Sequence, residues 1–412
     1  MRVLLSTIGS RGEVQPVTAL ALRLKASDQE VRVCVPPDFC DWIEGLGIPA
    51  IPIGPRMRPT SPSSSGRWNL SSPEGRRQAA EDAVGAQFAT LPDAARGCDV
   101  VVACGAVQVA ARSVAELLGI GHVHAEFCPA ALPSPHHNPA PWPGWPQDET
   151  GGSRELWMAD AQRWNDVWGA TLNGHRAAAG LAPIEDVRSH VLTDRAWLAA
   201  DPALAPWPQP DDPNVIQTGA WILPDERPLP AELESFLDAA EPPVYFGLGS
   251  YSGLGNMSPS GESVSQVMVA AARALGRRAI ISRGWADLAL ADDGADCISI
   301  GETNHRALFG RVAAIVHHGG AGTTTAAARA GVPQVVLPQQ YDQRYWARRV
   351  DQLGIGVTHP RRIAADSLTT SLSRALEPTV ANLARSLATT IRTDGTLTAA
   401  RHLMDPARLV SL

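Results

Sequence analysis

Short apolar runs alternate with stretches of helical periodicity along almost the whole chain. In the first half "RVLLSTI", "EVRVCVP", "IPAIPIG", "DVVVAC" and "GHVHAEF" read as strands, with helical patterns such as "VQPVTALALRLKAS" between them. Runs that are apolar throughout, rather than alternating, predict parallel strands covered by helices on both faces. The pattern halts at "DPALAPWPQPDDPNV", where proline is too frequent for helix or sheet to continue. It then restarts with "PPVYFGLGSYSG", an apolar strand entering a Gly/Ser turn much as "MRVLLSTIGSRG" does at the beginning. Strands "RAIISRG", "CISIG", "AAIVHHG" and "PQVVLPQ" follow, with helices "SVSQVMVAAARALG", "HRALFGRV", "TTTAAARAG" and "QRYWARRVDQLG" among them. The expected fold is α/β: two doubly wound, Rossmann-like domains whose parallel sheets face a cleft. The boundaries expected are residues 1–205 for the first domain, a Pro-rich linker at 206–218 and residues 219–412 for the second, with the last helix able to pack back on the first.

Two irregular segments interrupt the first half. Residues 54–77 are polar and rich in Ser and Pro, which predicts a mobile surface loop. Residues 129–152 interleave prolines with Trp142 and Trp145. That pattern allows a stiff wall for a bulky aromatic or lipidic ligand, and equally a loop packed on its own domain.

Charge and composition narrow the class of partner. A length of 412 residues suits two domains, and a net charge of -7 leaves no broad basic field for nucleic acid or an anionic membrane. No apolar run reaches the roughly 18 residues that span a bilayer. The expectation is a cytoplasmic monomer working on small molecules. Six cysteines at 34, 40, 98, 104, 128 and 297 are scattered without metal-type spacing, so they read as buried small hydrophobes in a reducing compartment. His122 and His124 alternate in "GHVHAEF" and read as neighbours on one strand face rather than a metal pair, since no third ligand is near.

The strongest local signal is "AAIVHHGGAGTTTAAARAGVPQ", residues 313–334. A strand ends at His317 and His318, glycines follow, and a Thr-rich helix begins. Free N–H groups at such a strand-to-helix turn attract phosphate. Gly319, Gly320 and Gly322 let the backbone approach a diphosphate, Thr323 adds a hydroxyl, and His317 is taken as the imidazole that donates to a phosphate oxygen. Neither a Walker A loop nor G-x-G-x-x-G is present, which weakens kinase and dehydrogenase readings. Asp342 and Gln343 follow the next strand; they suit sugar hydroxyls, although an Asp there also suits a helix cap. In the first turn, "STIGSRGEVQP", Glu13 is a carboxylate where a bare phosphate loop would have none. Two roles are open to it: a general base toward an acceptor hydroxyl, or a first-turn acid complementing its own helix dipole.

"GSRGEVQP", "SRGWADL", "HHGGAGTTTAAARAGVPQ" and "YDQRYWARRVDQLGIGV" resemble the glycosyltransferases that decorate vancomycin- and teicoplanin-type glycopeptide antibiotics. The resemblance runs over essentially the whole chain and is densest in its second half. It implies the GT-B fold and inverting, metal-independent transfer of a hexose or aminohexose from a UDP- or dTDP-sugar to a hydroxyl of a glycopeptide aglycone, with no cofactor. By position it implies that Ser10, Arg11 and Ser250 reach the donor phosphates, and that Trp285 and Glu302 lie near the nucleoside. His317, Gly319, Gly320, Gly322 and Thr323 form the diphosphate site, Asp342 and Gln343 hold sugar hydroxyls, and Trp142 and Trp145 fall on the acceptor side. The family usually has aspartate where this chain has Glu13, so Asp342 is a second candidate for the base. Other readings are a sterol, macrolide or lipid glycosyltransferase, a weakly active sugar-nucleotide-binding partner protein, and a sugar-nucleotide epimerase.

Overall fold

A computed structural model describes residues 1–58, 68, 71–142, 145, 151–193, 195–209, 211–251, 263–290, 292, 294–360 and 362–405. The chain divides into two compact units. One comprises Met1–Leu223 with the segment from Arg392 onward, and the other is Pro224–Ile391.

The first unit is built on a parallel seven-stranded sheet: β1 (Arg2–Thr7), β2 (Glu30–Val35), β3 (Ala50–Pro52), β4 (Val100–Cys104), β5 (Gly121–Glu126), β6 (Ala196–Leu198) and β7 (Val215–Gln217). Their spatial order is β3-β2-β1-β4-β5-β6-β7. Val3, Leu4, Leu5 and Val100, Val101, Val102 are wholly buried, as central strands covered on both faces require. After β1 the chain winds first to one side and then returns to lay β4 on the other. The carboxyl ends of β1 and β4 therefore form the switch point of the sheet, where open α/β folds bind their ligands.

The second unit repeats the plan with β8 (Val244–Gly247), β9 (Ala279–Ser282), β10 (Cys297–Ile300), β11 (Ala314–His317), β12 (Gln334–Val336) and β13 (Gly356–Thr358). The order β10-β9-β8-β11-β12-β13 places the switch between β8 and β11, with Gly247 in register with His317.

Three strands lie outside those expected from the apolar runs: β6, β7 and β13, each of three residues. β7 corrects the expected linker at 206–218, because it is a sheet strand within that span. Prolines 206, 208 and 213 precede it, and an edge strand needs hydrogen bonds on one side only. Gln217 ties the Pro-rich stretch down: its amide donates to Ala200 O and Ala205 O at 2.9 Å, and its Oε1 accepts from Trp207 N at 2.9 Å.

The expected loop at 54–77 is also corrected in part. A helix, Pro73–Ala94, starts inside it, with Ser72 Oγ accepting from Gly75 N at 3.0 Å as its cap. Residues 59–67, 69 and 70 of that stretch lie outside the described residues. The six thiols are free and five are buried. His124 and Glu126, two apart on one face of β5, pair at 2.9 Å in the core.

The final helix, Gly395–Met404, belongs to the first unit and packs against the helix Arg11–Lys25. Its entry needs glycine, since a Cβ at Gly395 would lie 2.3 Å from Ala220 O. Asp201 Oδ2 accepts from Arg392 N at 2.7 Å and secures the return of the chain.

Candidate active site

In the second unit, β11 delivers the glycine turn to the switch point. His317, wholly buried, donates from Nε2 to Gln334 Oε1 at 2.9 Å and accepts at Nδ1 from Gly319 N at 3.1 Å. Burial, with His318 adding to it, lowers its pKa to about 3, so the ring stays neutral. The expectation that His317 donates to a phosphate is therefore corrected: both ring nitrogens are engaged inside the unit. His318, half-buried, takes the other side of the turn. A Cβ at Gly249 would lie 2.9 Å from His318 Cε1, and one at Gly320 would lie 2.6 Å from His318 Nε2. The ring thus spans the loops after β8 and β11, and only glycines leave it room.

Gly320 is the N-cap of the helix Ala321–Ala330, with Gly322 exposed and Thr323 half-buried in its first turn. Gly319 has φ +90°, and a Cβ there would lie 2.7 Å from Val336 Cγ1 and 3.2 Å from Gln343 O. The turn is in this way packed against the segment that follows β12. Gln343 is buried, and its Oε1 accepts from Gln339 N at 2.8 Å and Gln340 N at 3.1 Å, shaping that segment. Asp342 stands at the N-cap of the helix Gln343–Gln352 without making the cap hydrogen bond. Its Oδ2 accepts instead from the Trp346 indole at 2.9 Å.

The turn after β8 joins the same place. Trp285 N donates to Gly249 O at 3.0 Å, and Gly284, at φ +56°, passes so close that a Cβ would lie 2.5 Å from that oxygen. Ser250 is half-buried at the end of the described turn. Glu302 is more exposed and pairs with Arg227 at 3.6 Å.

In the first unit Ser10 is the N-cap of the helix Arg11–Lys25, and Glu13 lies three residues on. Ser10 Oγ donates to Glu13 Oε2 at 2.9 Å. The Glu13 stem covers Gly9, where a Cβ would lie 2.7 Å from Glu13 Cδ, and its Cγ lies 3.8 Å from the Cβ position of Gly105. The carboxylate is thus held by Ser10 at the β1/β4 switch point, with its stem over Gly9 and toward Gly105. Arg11 lays its guanidinium over the Trp42 ring at 4.8 Å.

Trp142 and Trp145 are packed on their own unit, which agrees with the second of the two readings the sequence leaves open for that segment. Trp142 Nε1 donates to buried Asp160 at 2.9 Å and its ring meets Trp164 edge-on at 5.9 Å. Trp145 lies under Arg76 at 4.8 Å. Residues 143, 144 and 146–150 of that loop lie outside the described residues.

The Glycosyltransferase family 28 N-terminal domain matches residues 3–129, and the Erythromycin biosynthesis protein CIII-like C-terminal domain matches residues 299–397. The vancomycin aglycone glucosyltransferase of Amycolatopsis orientalis is 48% identical over 98% of this chain and 97% of its own length. The dTDP-epi-vancosaminyltransferase of the same organism is 42% identical over 95% and 93%. The chain belongs to the glycopeptide-antibiotic glycosyltransferases. The fold of this glycosyltransferase is GT-B: the glycosyltransferase of kitacinnamycin superposes with a TM-score of 0.72 over 99% of both chains at 20% identity. Glycosyltransferase VinC in complex with dTDP gives 0.67 over 97% and 98% at 21%.

One residue of the glycosyltransferase's second unit, Gln334 beneath the turn, escapes the sequence reading, which also prefers His317 to His318 as the ring that faces the turn. Gln334 closes the quoted motif, but only the sheet register of β11 with β12 brings it under His317. Among the described residues, Asp292, Asp296 and Cys297 are the one grouping with metal-ligand atoms close together, and Arg273 bonds both carboxylates at 2.7 Å. No helix among them is long and apolar enough to cross a membrane.

Proposed function

We propose that this glycosyltransferase moves a hexose or aminohexose from a UDP- or dTDP-sugar to a hydroxyl of a glycopeptide aglycone, with inversion and without a metal or cofactor. The observation that carries this reading is the glycine turn at the β8/β11 switch point, where a helix N-terminus and His318 meet at one place. A diphosphate bound there gains negative charge as the glycosidic bond breaks. The helix N–H groups and the His318 ring offset that charge. Asp342 supplies an acceptor for sugar hydroxyls at the neighbouring strand end.

Glu13 takes the proton of the acceptor hydroxyl. Ser10 occupies Oε2, so the proton goes to Oε1. As the hydroxyl oxygen bonds to the anomeric carbon from one face, the bond to the diphosphate oxygen breaks on the other, and the nucleoside diphosphate leaves with that electron pair. One displacement inverts the centre. The names of the two Amycolatopsis relatives support a vancomycin-type aglycone, and the dTDP complex of VinC supports a thymidine donor beside the uridine one.

Mass spectrometry of glycopeptide aglycones incubated with UDP- and dTDP-sugars tests the reading, and NMR of the product tests inversion. Product from no aglycone, or turnover of donor alone, rejects it; rates that fall with a chelator reject metal independence. His318→Ala is expected to weaken UDP or dTDP binding by about 10- to 100-fold, the range for losing one hydrogen bond to a charged group, as measured by calorimetry.

A further inference from the structure

Gln334 takes no part in the chemistry above, yet it is wholly buried and reaches two points of the glycine turn. Its Oε1 accepts from His317 Nε2 at 2.9 Å, and its Nε2 faces Thr324 O at 3.5 Å, which sets the orientation of the amide. On the far side of the imidazole, Gly319 N donates to Nδ1 at 3.1 Å. A nitrogen that accepts cannot carry a proton, so the His317 proton resides on Nε2.

We propose that Gln334 is a positioning residue for donor binding: it holds His317 in the Nε2–H tautomer, which leaves Nδ1 to accept from Gly319 N and so shapes the diphosphate turn. This rests on the reading of that turn as the donor site. The other tautomer, or the imidazolium, would set an N–H of the ring against the N–H of Gly319. The turn has little room to swing that N–H away, because Gly319 stands at φ +90° in a place where even a Cβ would lie 2.7 Å from Val336 Cγ1 and 3.2 Å from Gln343 O. A neutral amide at 334 is thus suited to its place in a way that a carboxylate is not.

The titratable groups facing His317 are His318 from its own segment and His305, which opens the helix His305–Phe309. From the packed elements β8, β12 and the helix Ala321–Ala330 its near neighbours are Gly247, Val336 and Thr324, which do not titrate, and beside Gly247 the hydroxyl of Tyr245, which burial pushes up to about 12 and so keeps neutral over the range tested. A glutamate at 334 would therefore place a carboxylate against the Nε2–H and favour a second proton on the ring.

The test is Gln334→Glu, read by calorimetry with UDP and with dTDP between about pH 6 and pH 8, spanning the ordinary histidine range. Relative to wild type, affinity is expected to fall by up to about tenfold per pH unit below the His317 titration, as linkage to one proton requires. A variant-to-wild-type ratio that stays constant over that range overturns the proposal. In parallel, ¹⁵N NMR of the unliganded wild-type chain should show His317 with Nδ1 bare and Nε2 protonated; a proton on Nδ1 overturns the proposal even if the glutamate variant fails to fold. Should the wild type bind neither nucleotide, the donor-site reading falls, while the spectrum still reports on the Gln334–His317 pair.

Discussion

Glu13→Gln lowers kcat by about 10²–10⁴-fold, the usual contribution of a positioned general base. The substitution keeps the volume that covers Gly9 and an oxygen that can accept from Ser10 Oγ, so the first turn of the helix is preserved. What disappears is the capacity to take a proton. Binding of UDP or dTDP should change little, because the partner of Ser10 Oγ is kept and the proposed donor turn lies in the other unit. The rival role, a first-turn acid complementing the helix dipole, contributes only about 0.3–1 kcal/mol to stability. It predicts a slightly lower melting temperature with kcat intact. Measuring kcat and Tm on the same preparation separates the two, and kcat at the wild-type value removes Glu13 from the mechanism. Glu13→Asp keeps the acid but withdraws the carboxylate by one methylene from Ser10. A displacement of about 1 Å can cost about 10²-fold, so the aspartate variant should fall between wild type and glutamine.

The second large effect concerns stability. Arg176 is buried, donating to Glu116 at 2.8 Å, Ser113 Oγ at 2.8 Å and Ala182 O at 2.7 Å, and it joins helices of the first unit. The Glu116 side chain is 39% exposed while that of Arg176 is 2% exposed. The two deletions are therefore unequal. Arg176→Ala frees a carboxylate that water can reach, whereas Glu116→Ala leaves a guanidinium in the core without its counter-charge. Removing one partner of a buried pair costs about 3–5 kcal/mol; with the open side of Glu116 and the remaining acceptors of Arg176, Glu116→Ala should cost about 2–4 kcal/mol. Chemical denaturation checks it. The pH dependence has a definite sign. The Arg176 hydrogen bond lowers the Glu116 pKa, so its contribution is complete above the unfolded value, near 4.3, and is lost as pH falls through the folded value. The difference between wild type and Glu116→Ala should shrink in that acid window and nowhere above it.

Much of this architecture is legible in the residues alone, and the reasons are local. Val3–Leu5 and Val100–Val102 are apolar without alternation, which only a sheet covered on both faces explains, and both runs are central strands. The short strands β6, β7 and β13 are not legible, since three residues carry no period and the edge strand β7 follows closely spaced prolines. The glycine turn is legible as a turn, but the division of labour between His317 and His318 is not. Two adjacent histidines at a strand end differ only in which one turns inward, and that is settled by the partner Gln334 on the next strand. Glu13 is conspicuous as an acid in a glycine turn, yet its hold on Ser10 and its contact beside Gly105 arise only once β1 and β4 are neighbours. Trp142 and Trp145 looked suited to a ligand because they sit among prolines. Asp160, Trp164 and Arg76, which take them up, come from other helices.

The return of the chain to the first unit at Arg392 bears on how the protein is made. The helix Gly395–Met404 is synthesised only after all of Pro224–Ile391. Domains ordinarily fold in order from the amino end as they emerge. Here the amino-terminal body must wait with the face of its first helix uncovered while the later body is finished, so the half begun first is completed second.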